Sequence, residues 1–149
     1  LRPNFRGVGE SQGKHDEGRG ETDDLLTVLA EAKCRYGNLP VALAGFSFGA
    51  YVLTRVAEAL LAAGHPAQRL VLVGTASGFV EGARQYQTRA VPRDTIVIHG
   101  SEDSTVPLAN VIEWAKPLEL PVVVVPGADH FFHRRLHVIR EIVSHAWRH

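Results

Sequence analysis

Four short apolar runs alternate along the chain with four stretches of helical period. The runs "PVALA" at 40–44, "RLVLVGT" at 69–75, "DTIVIHG" at 94–100 and "PVVVVPG" at 121–127 predict strands. The first, opened by Pro40 and continuous in apolar residues, is expected to be buried on both faces of a parallel sheet. Helical spacing appears at 21–36, where Leu25, Leu26, Val28, Leu29 and Ala32 share a side, with Glu21, Asp23 and Asp24 at the start and Lys33 and Arg35 at the end, matching the helix dipole. It recurs at 50–64, with Leu53, Val56, Ala57, Leu60 and Leu61 before a stop at Gly64. A third stretch, 107–120, aligns Leu108, Val111, Ile112 and Ala115, and "FFHRRLHVIREIVSHAW" at 131–147 predicts a closing helix. Residues 1–20 read as loop and 76–93 is the least regular connection, with no internal repeat or low-complexity segment.

Strand and helix in alternation predict an α/β class: a parallel sheet flanked by helices, with functional groups in the loops beyond the carboxyl ends of the strands. A length of 149 residues suits a single domain, 1–149. Sixteen basic and sixteen acidic residues cancel without a long run of either sign. The expected partner is therefore a small-molecule substrate, with no nucleic acid and no membrane. Cys34 stands alone, which rules out an internal disulfide and a cysteine metal cluster and favours a reducing compartment, expected to be the cytoplasm. No apolar stretch reaches the roughly 20 residues of a membrane span, and no signal-peptide pattern opens the chain. The chain begins at Leu1 and contains no methionine, so it is expected to lack its natural beginning.

Two segments match G-x-S-x-G, "GESQG" at 9–13 and "GFSFG" at 45–49. A nucleophile elbow needs a buried strand before it and a helix after it, because that sharp turn lifts the serine Oγ above the sheet. Only Ser47 has both flanks, with Gly45, Gly49 and Ala50 small enough for strand and helix to approach. Ser11 lies in a polar, glycine-rich stretch that reads as a loop. A phosphate loop ending at Gly13-Lys14 is disfavoured, since Val8 takes the place of the first glycine and His15 that of the required Ser or Thr.

A serine nucleophile needs a base, and the base needs an acid that fixes its tautomer. "HGSEDSTVP" places Asp103 after the third strand, with Glu102 beside it as a competing acid, and "PGADHFFH" places His130 after the fourth. His130, His133 and His137 also form a His-x-x-His-x-x-x-His run, in which His133 and His137 stand one turn apart on the closing helix. Without an acidic ligand pattern, and with Arg134 and Arg135 there to repel a cation, a solvated helix face is the expected reading and no metal is expected. His99, next to the end of its strand, is expected to be packed or hydrogen-bonded rather than catalytic.

The order Ser, Asp, His, together with "GFSFGA", "IHGSEDSTVP" and "PGADHFF", resembles the α/β-hydrolases. "NFRGVGESQGKHDEGRGETDDL" is similar to a group of small bacterial hydrolases without a lid domain, so that the resemblance spans essentially the whole chain. It implies the carboxyl-terminal portion of an α/β-hydrolase fold, incomplete at its amino end, with about four strands upstream of the elbow strand. It also puts the carboxylate three residues after Gly100, at Asp103. The implied chemistry is ester hydrolysis with Ser47 as nucleophile, His130 as base, Asp103 orienting it, Phe48 donating an oxyanion N–H, and no cofactor. Lactone hydrolysis or cofactor-free peroxidation would use the same triad. A non-catalytic fold remnant, self-associating or binding a partner through an exposed edge of the sheet, is the alternative from another class.

Overall fold

The computed structural model describes residues 1–147 apart from 81 and 83. Its strands are β1 (Ala42–Phe46), β2 (Arg69–Val73), β3 (Gly78–Val80), β4 (Arg84–Tyr86), β5 (Ile96–Gly100) and β6 (Val122–Val125). Its helices are α1 (Arg19–Tyr36), α2 (Phe48–Ala62), α3 (Leu108–Ala115) and α4 (Leu136–Trp147). The main sheet runs β1-β2-β5-β6, every pairing parallel, and β3 and β4 form a separate antiparallel pair. This is the helix-flanked parallel sheet that the alternation predicts, with the small antiparallel pair lying inside the irregular connection.

Two cores hold the layers. On one face, Leu43, Leu70, Leu72 and Val97 meet Val52, Val56 and Leu60 of α2 and Val111 and Ala115 of α3, while α1 packs on α2. On the other, Ile98 and Val125 meet Val138, Ile139, Ile142 and Val143 of α4. Burial is deepest on the central strands: Leu70, Val71 and Leu72 of β2, and Val97, Ile98 and His99 of β5. β1 departs from the expectation of burial on both faces. As a terminal strand it buries Leu43 and leaves Ala42, Ala44 and Phe46 exposed. β6, terminal at the opposite side, likewise exposes Val123 and Val124.

Local signals explain the helix ends. Gly18 starts α1 with φ 94°, a left-handed angle that suits glycine, and an added Cβ would lie 2.6 Å from the Tyr51 ring. Glu21, one of the acidic residues at the positive end of the helix dipole, is fully buried; its carboxylate accepts the backbone N–H groups of Asp16 at 2.8 Å and Gly18 at 2.9 Å. α3 gives way to a 3₁₀ turn at Lys116–Leu118 because Pro117 lacks the N–H that would continue the helix. The closing helix begins at Leu136 rather than Phe131, since Phe132 and Arg134 take left-handed φ values of 52° and 61°. Burial of Phe132 in the second core compensates for that unfavourable backbone. Among the described residues no helix is long and apolar enough to cross a membrane.

Candidate active site

The turn from β1 to α2 is one residue long. Ser47 adopts φ 53° and ψ −118°, a conformation that non-glycine residues rarely take and that marks a site held by its surroundings. Three backbone bonds hold it: Ser47 donates its N–H to Val73 at 2.9 Å, and its carbonyl accepts from Tyr51 at 3.1 Å and Ala76 at 3.3 Å. Gly45 makes the turn possible, because a Cβ there would lie 2.8 Å from Leu53 Cδ1 and 2.9 Å from Ala50 N. Gly49 has no such need; a Cβ would meet only the Phe5 ring, at 3.7 Å.

The loops after β5 and β6 bring the other two residues to Ser47. His130 Nε2 lies 2.9 Å from Ser47 Oγ, and His130 Nδ1 lies 2.7 Å from Asp103 Oδ2. Asp103 and His130 are buried and Ser47 half-buried. The other Asp103 oxygen, Oδ1, accepts the N–H groups of Thr105 at 3.0 Å and Val106 at 2.7 Å, which fixes the carboxylate plane. Glu102 is exposed, and its N–H instead joins the two loops by donating to Ala128 at 3.0 Å. With Asp103 accepting at Nδ1, neutral His130 carries its proton there and offers a lone pair at Nε2 to the serine hydroxyl.

His99 lies beneath this group, fully buried on β5. Its Nε2 donates to the Val106 carbonyl at 2.9 Å and lies 3.4 Å from Asp103 Oδ2, while its Nδ1 is buried without a partner among the described residues. Burial pushes the His99 pKa below its ordinary value of 6.5, outweighing the opposing pull of Val106 and Asp103. The neutral ring is thus a packed, hydrogen-bonded group.

Phe48 opens α2, so its N–H is among the first-turn donors that find no acceptor within their own helix. It stands beside Ser47 at the positive end of the helix dipole, a suitable place for an oxyanion. The Phe48 ring packs against Phe5, His15, Tyr51 and Tyr86. On the other side of the serine, Phe46 and Phe131 flank the His130 ring. Gly74, with φ 55°, leaves room for both; a Cβ there would lie 3.2 Å from Phe46 and 3.4 Å from His130. These three residues were missed by sequence reasoning, although Phe46 and Phe131 adjoin Ser47 and His130 in the chain.

The remaining candidates lie apart. Ser11 sits in a turn, its N–H donating to Val8 at 3.0 Å. His133 precedes α4 rather than riding on it and pairs with Asp129 at the surface, whereas His137 is exposed in the first turn of α4. Among the described residues, no three histidine, cysteine or acidic side chains converge as a metal-binding group.

No protein-family model matches the chain. A lidless α/β serine hydrolase from Xanthomonas campestris superposes with a TM-score of 0.81 at 36% identity, over 97% of this chain and 63% of that one. An α/β serine hydrolase homologue from Coxiella burnetii gives a TM-score of 0.73 at 38% identity, over 93% and 64%. An uncharacterised protein of Rickettsia prowazekii is 29% identical over 140 residues, 89% of this chain and 57% of that protein. The chain therefore spans less than two thirds of each of these proteins. In its parallel sheet, its flanking helices and its likeness to these solved structures, the chain has an α/β-hydrolase fold and resembles the α/β serine hydrolases.

Proposed function

We propose that this chain is a serine hydrolase that cleaves small-molecule esters of the carboxylesterase type. The observation that carries the reading is the unbroken hydrogen-bonded run from Ser47 Oγ through His130 to Asp103. Ser47 Oγ attacks the acyl carbon as its proton passes to His130 Nε2, and the resulting oxyanion takes the Phe48 N–H. The ester C–O bond then breaks, and the departing oxygen takes the proton from Nε2 to leave as the alcohol. Water repeats the sequence on the acyl-enzyme, giving the carboxylic acid and free Ser47. Asp103 holds the Nδ1 proton in place and balances the imidazolium. Each step closes on these side chains and water, so the reaction calls for no cofactor.

The test is covalent labelling with a fluorophosphonate, which reports an activated serine, alongside turnover of p-nitrophenyl acetate. Labelling of the natural chain and none of Ser47→Ala is expected. Equal labelling of the two would overturn the reading.

A second reading, a binding role without catalysis, draws on a different feature. β1 is a terminal strand, and beside it lies a groove of about 540 Å³ lined by Leu25, Leu29, Val41, Leu43 and Phe5. An unpaired edge next to apolar side chains favours association with an added strand, including that of a second copy. Sedimentation showing a monomer at all concentrations would remove support for self-association.

A further inference from the structure

We infer that the leaving-group side of the site selects esters of apolar, ring-bearing alcohols, a specificity that rests on the serine hydrolase reading above. The argument starts from the proton. His130 Nε2 holds the proton taken from Ser47, so the departing oxygen must come within about 3 Å of Nε2 to receive it. The carbon substituent of that oxygen then lies beside the imidazole, and the residues flanking His130 are the ones it meets.

Those residues are Phe46 and Phe131. Their ring centroids lie 4.9 and 5.1 Å from that of His130 and 6.0 Å from each other, so the three rings make a continuous wall. The wall is open to solvent: Phe46 is 41% exposed and Phe131 60%. Exposed aromatic surface beside a reacting atom gains by covering itself with an apolar group, and another ring adds edge or offset stacking. Gly74 lets Phe46 and His130 sit together, so the wall is held by the same backbone that holds the base.

The opposite side of the serine differs. There Phe48 is half-buried and its ring is engaged by Phe5 at 5.3 Å and His15 at 4.9 Å, while Tyr51 and Tyr86 contact each other at 4.9 Å. That aromatic surface is largely spent within the protein. Near the exposed wall, the Asp129 carboxylate is held below its ordinary pKa by hydrogen bonds from His133, and is occupied by that partner rather than free to draw in a cationic alcohol. Apolar contact is what the wall has to offer.

Benzyl acetate and methoxyethyl acetate test this, because they share an acyl group and their alcohols are of similar acidity. The natural chain is expected to favour benzyl acetate in kcat/KM by about 10-fold, and Phe131→Ala to reduce that preference about 5-fold. Phe131→Leu, which keeps apolar bulk, should retain part of it, and Phe46→Ser should lower it independently. Leu61→Ala, at the far end of α2, should leave the ratio within about twofold, since the helix places it roughly 20 Å from Ser47. Ser47-dependent hydrolysis of both esters with equal kcat/KM would overturn the inference and leave the hydrolase reading standing. Absence of Ser47-dependent hydrolysis of either ester and of p-nitrophenyl acetate would overturn both.

Discussion

Asp103 presents both carboxylate oxygens to fixed donors, Oδ2 to His130 Nδ1 at 2.7 Å and Oδ1 to the backbone of Thr105 and Val106. An amide in its place would keep the backbone bonds through its oxygen and turn an NH₂ toward His130. Nδ1 would then have to accept, which moves the imidazole proton to Nε2 and removes the lone pair facing Ser47. Asp103→Asn is expected to fold and to lose about 10⁴ in kcat. Turnover of p-nitrophenyl acetate, normalised to folded protein by circular dichroism, checks this.

Ser47→Ala should abolish ester hydrolysis, while Ser11→Ala should keep most of it, because it is Ser47 Oγ that lies 2.9 Å from His130 Nε2, whereas Ser11 closes a turn onto Val8. By the same geometry His130→Ala should cost far more activity than His133→Ala or His137→Ala. His133 already pairs with Asp129 at the surface. Comparable losses in all three histidine variants would mean that the imidazole facing Ser47 has been misidentified.

Gly45 and Gly49 look equivalent in "GFSFG" but should respond differently to substitution. Gly45→Ala drives a Cβ to 2.9 Å from backbone atoms of Ala50 and Gly49, an overlap that side-chain motion cannot relieve. A loss of about 1–3 kcal/mol is expected. Gly49→Ala meets only the Phe5 ring at 3.7 Å and sits within α2, so it should be neutral or stabilising by up to about 1 kcal/mol. Urea midpoints at constant slope measure both.

The pH dependence of stability follows from His99. Its folded pKa is lowered by burial, so below the ordinary value of 6.5 the unfolded chain takes a proton that the folded chain refuses. The unfolded state then binds more protons, and stability falls with decreasing pH. The contribution is fully present above about 6.5 and is lost as pH drops below it. His99→Gln can still donate to Val106 but does not titrate, and should flatten the stability profile on the acid side of that value. An unchanged slope in the variant would refute this.

The strand-helix alternation and the positions of Ser47 and His130 at strand ends were legible from local pattern, whereas the choice of Asp103 over the adjacent Glu102 came from the resemblance. Burial was not, since it depends on which strand ends up at the rim. "PVALA" and "RLVLV" look alike in sequence, yet β1 is terminal and β2 central. The start of the closing helix was hidden for another reason: the apolar spacing runs unbroken through Phe131 and Phe132, and only the left-handed backbone at Phe132 and Arg134 interrupts it. The burial of Glu21 was hidden because its hydrogen-bond donors are the backbone N–H groups of Asp16 and Gly18, which no periodicity reveals. The aromatic wall at His130 was hidden because Phe46 and Phe131 lie 85 positions apart and meet only across the top of the sheet.

The close approach at Gly100 has a mechanical consequence. A Cβ there would fall 2.3 Å from the Ala128 carbonyl, and the two loops are further tied by Ser101 to Val125 at 3.1 Å and Gly127 to Ser101 Oγ at 2.8 Å. Asp103 and His130 are therefore carried by one tied pair of loops, while Ser47 sits on the β1–α2 turn. Between them run the Ser47–His130 hydrogen bond, the contacts of Phe46 with His130 and Phe131, and the pairing of β2 with β5. On gentle heating, ester hydrolysis should fade as this loop pair loosens against the β1–α2 turn, while the spectroscopic signature of the folded sheet persists.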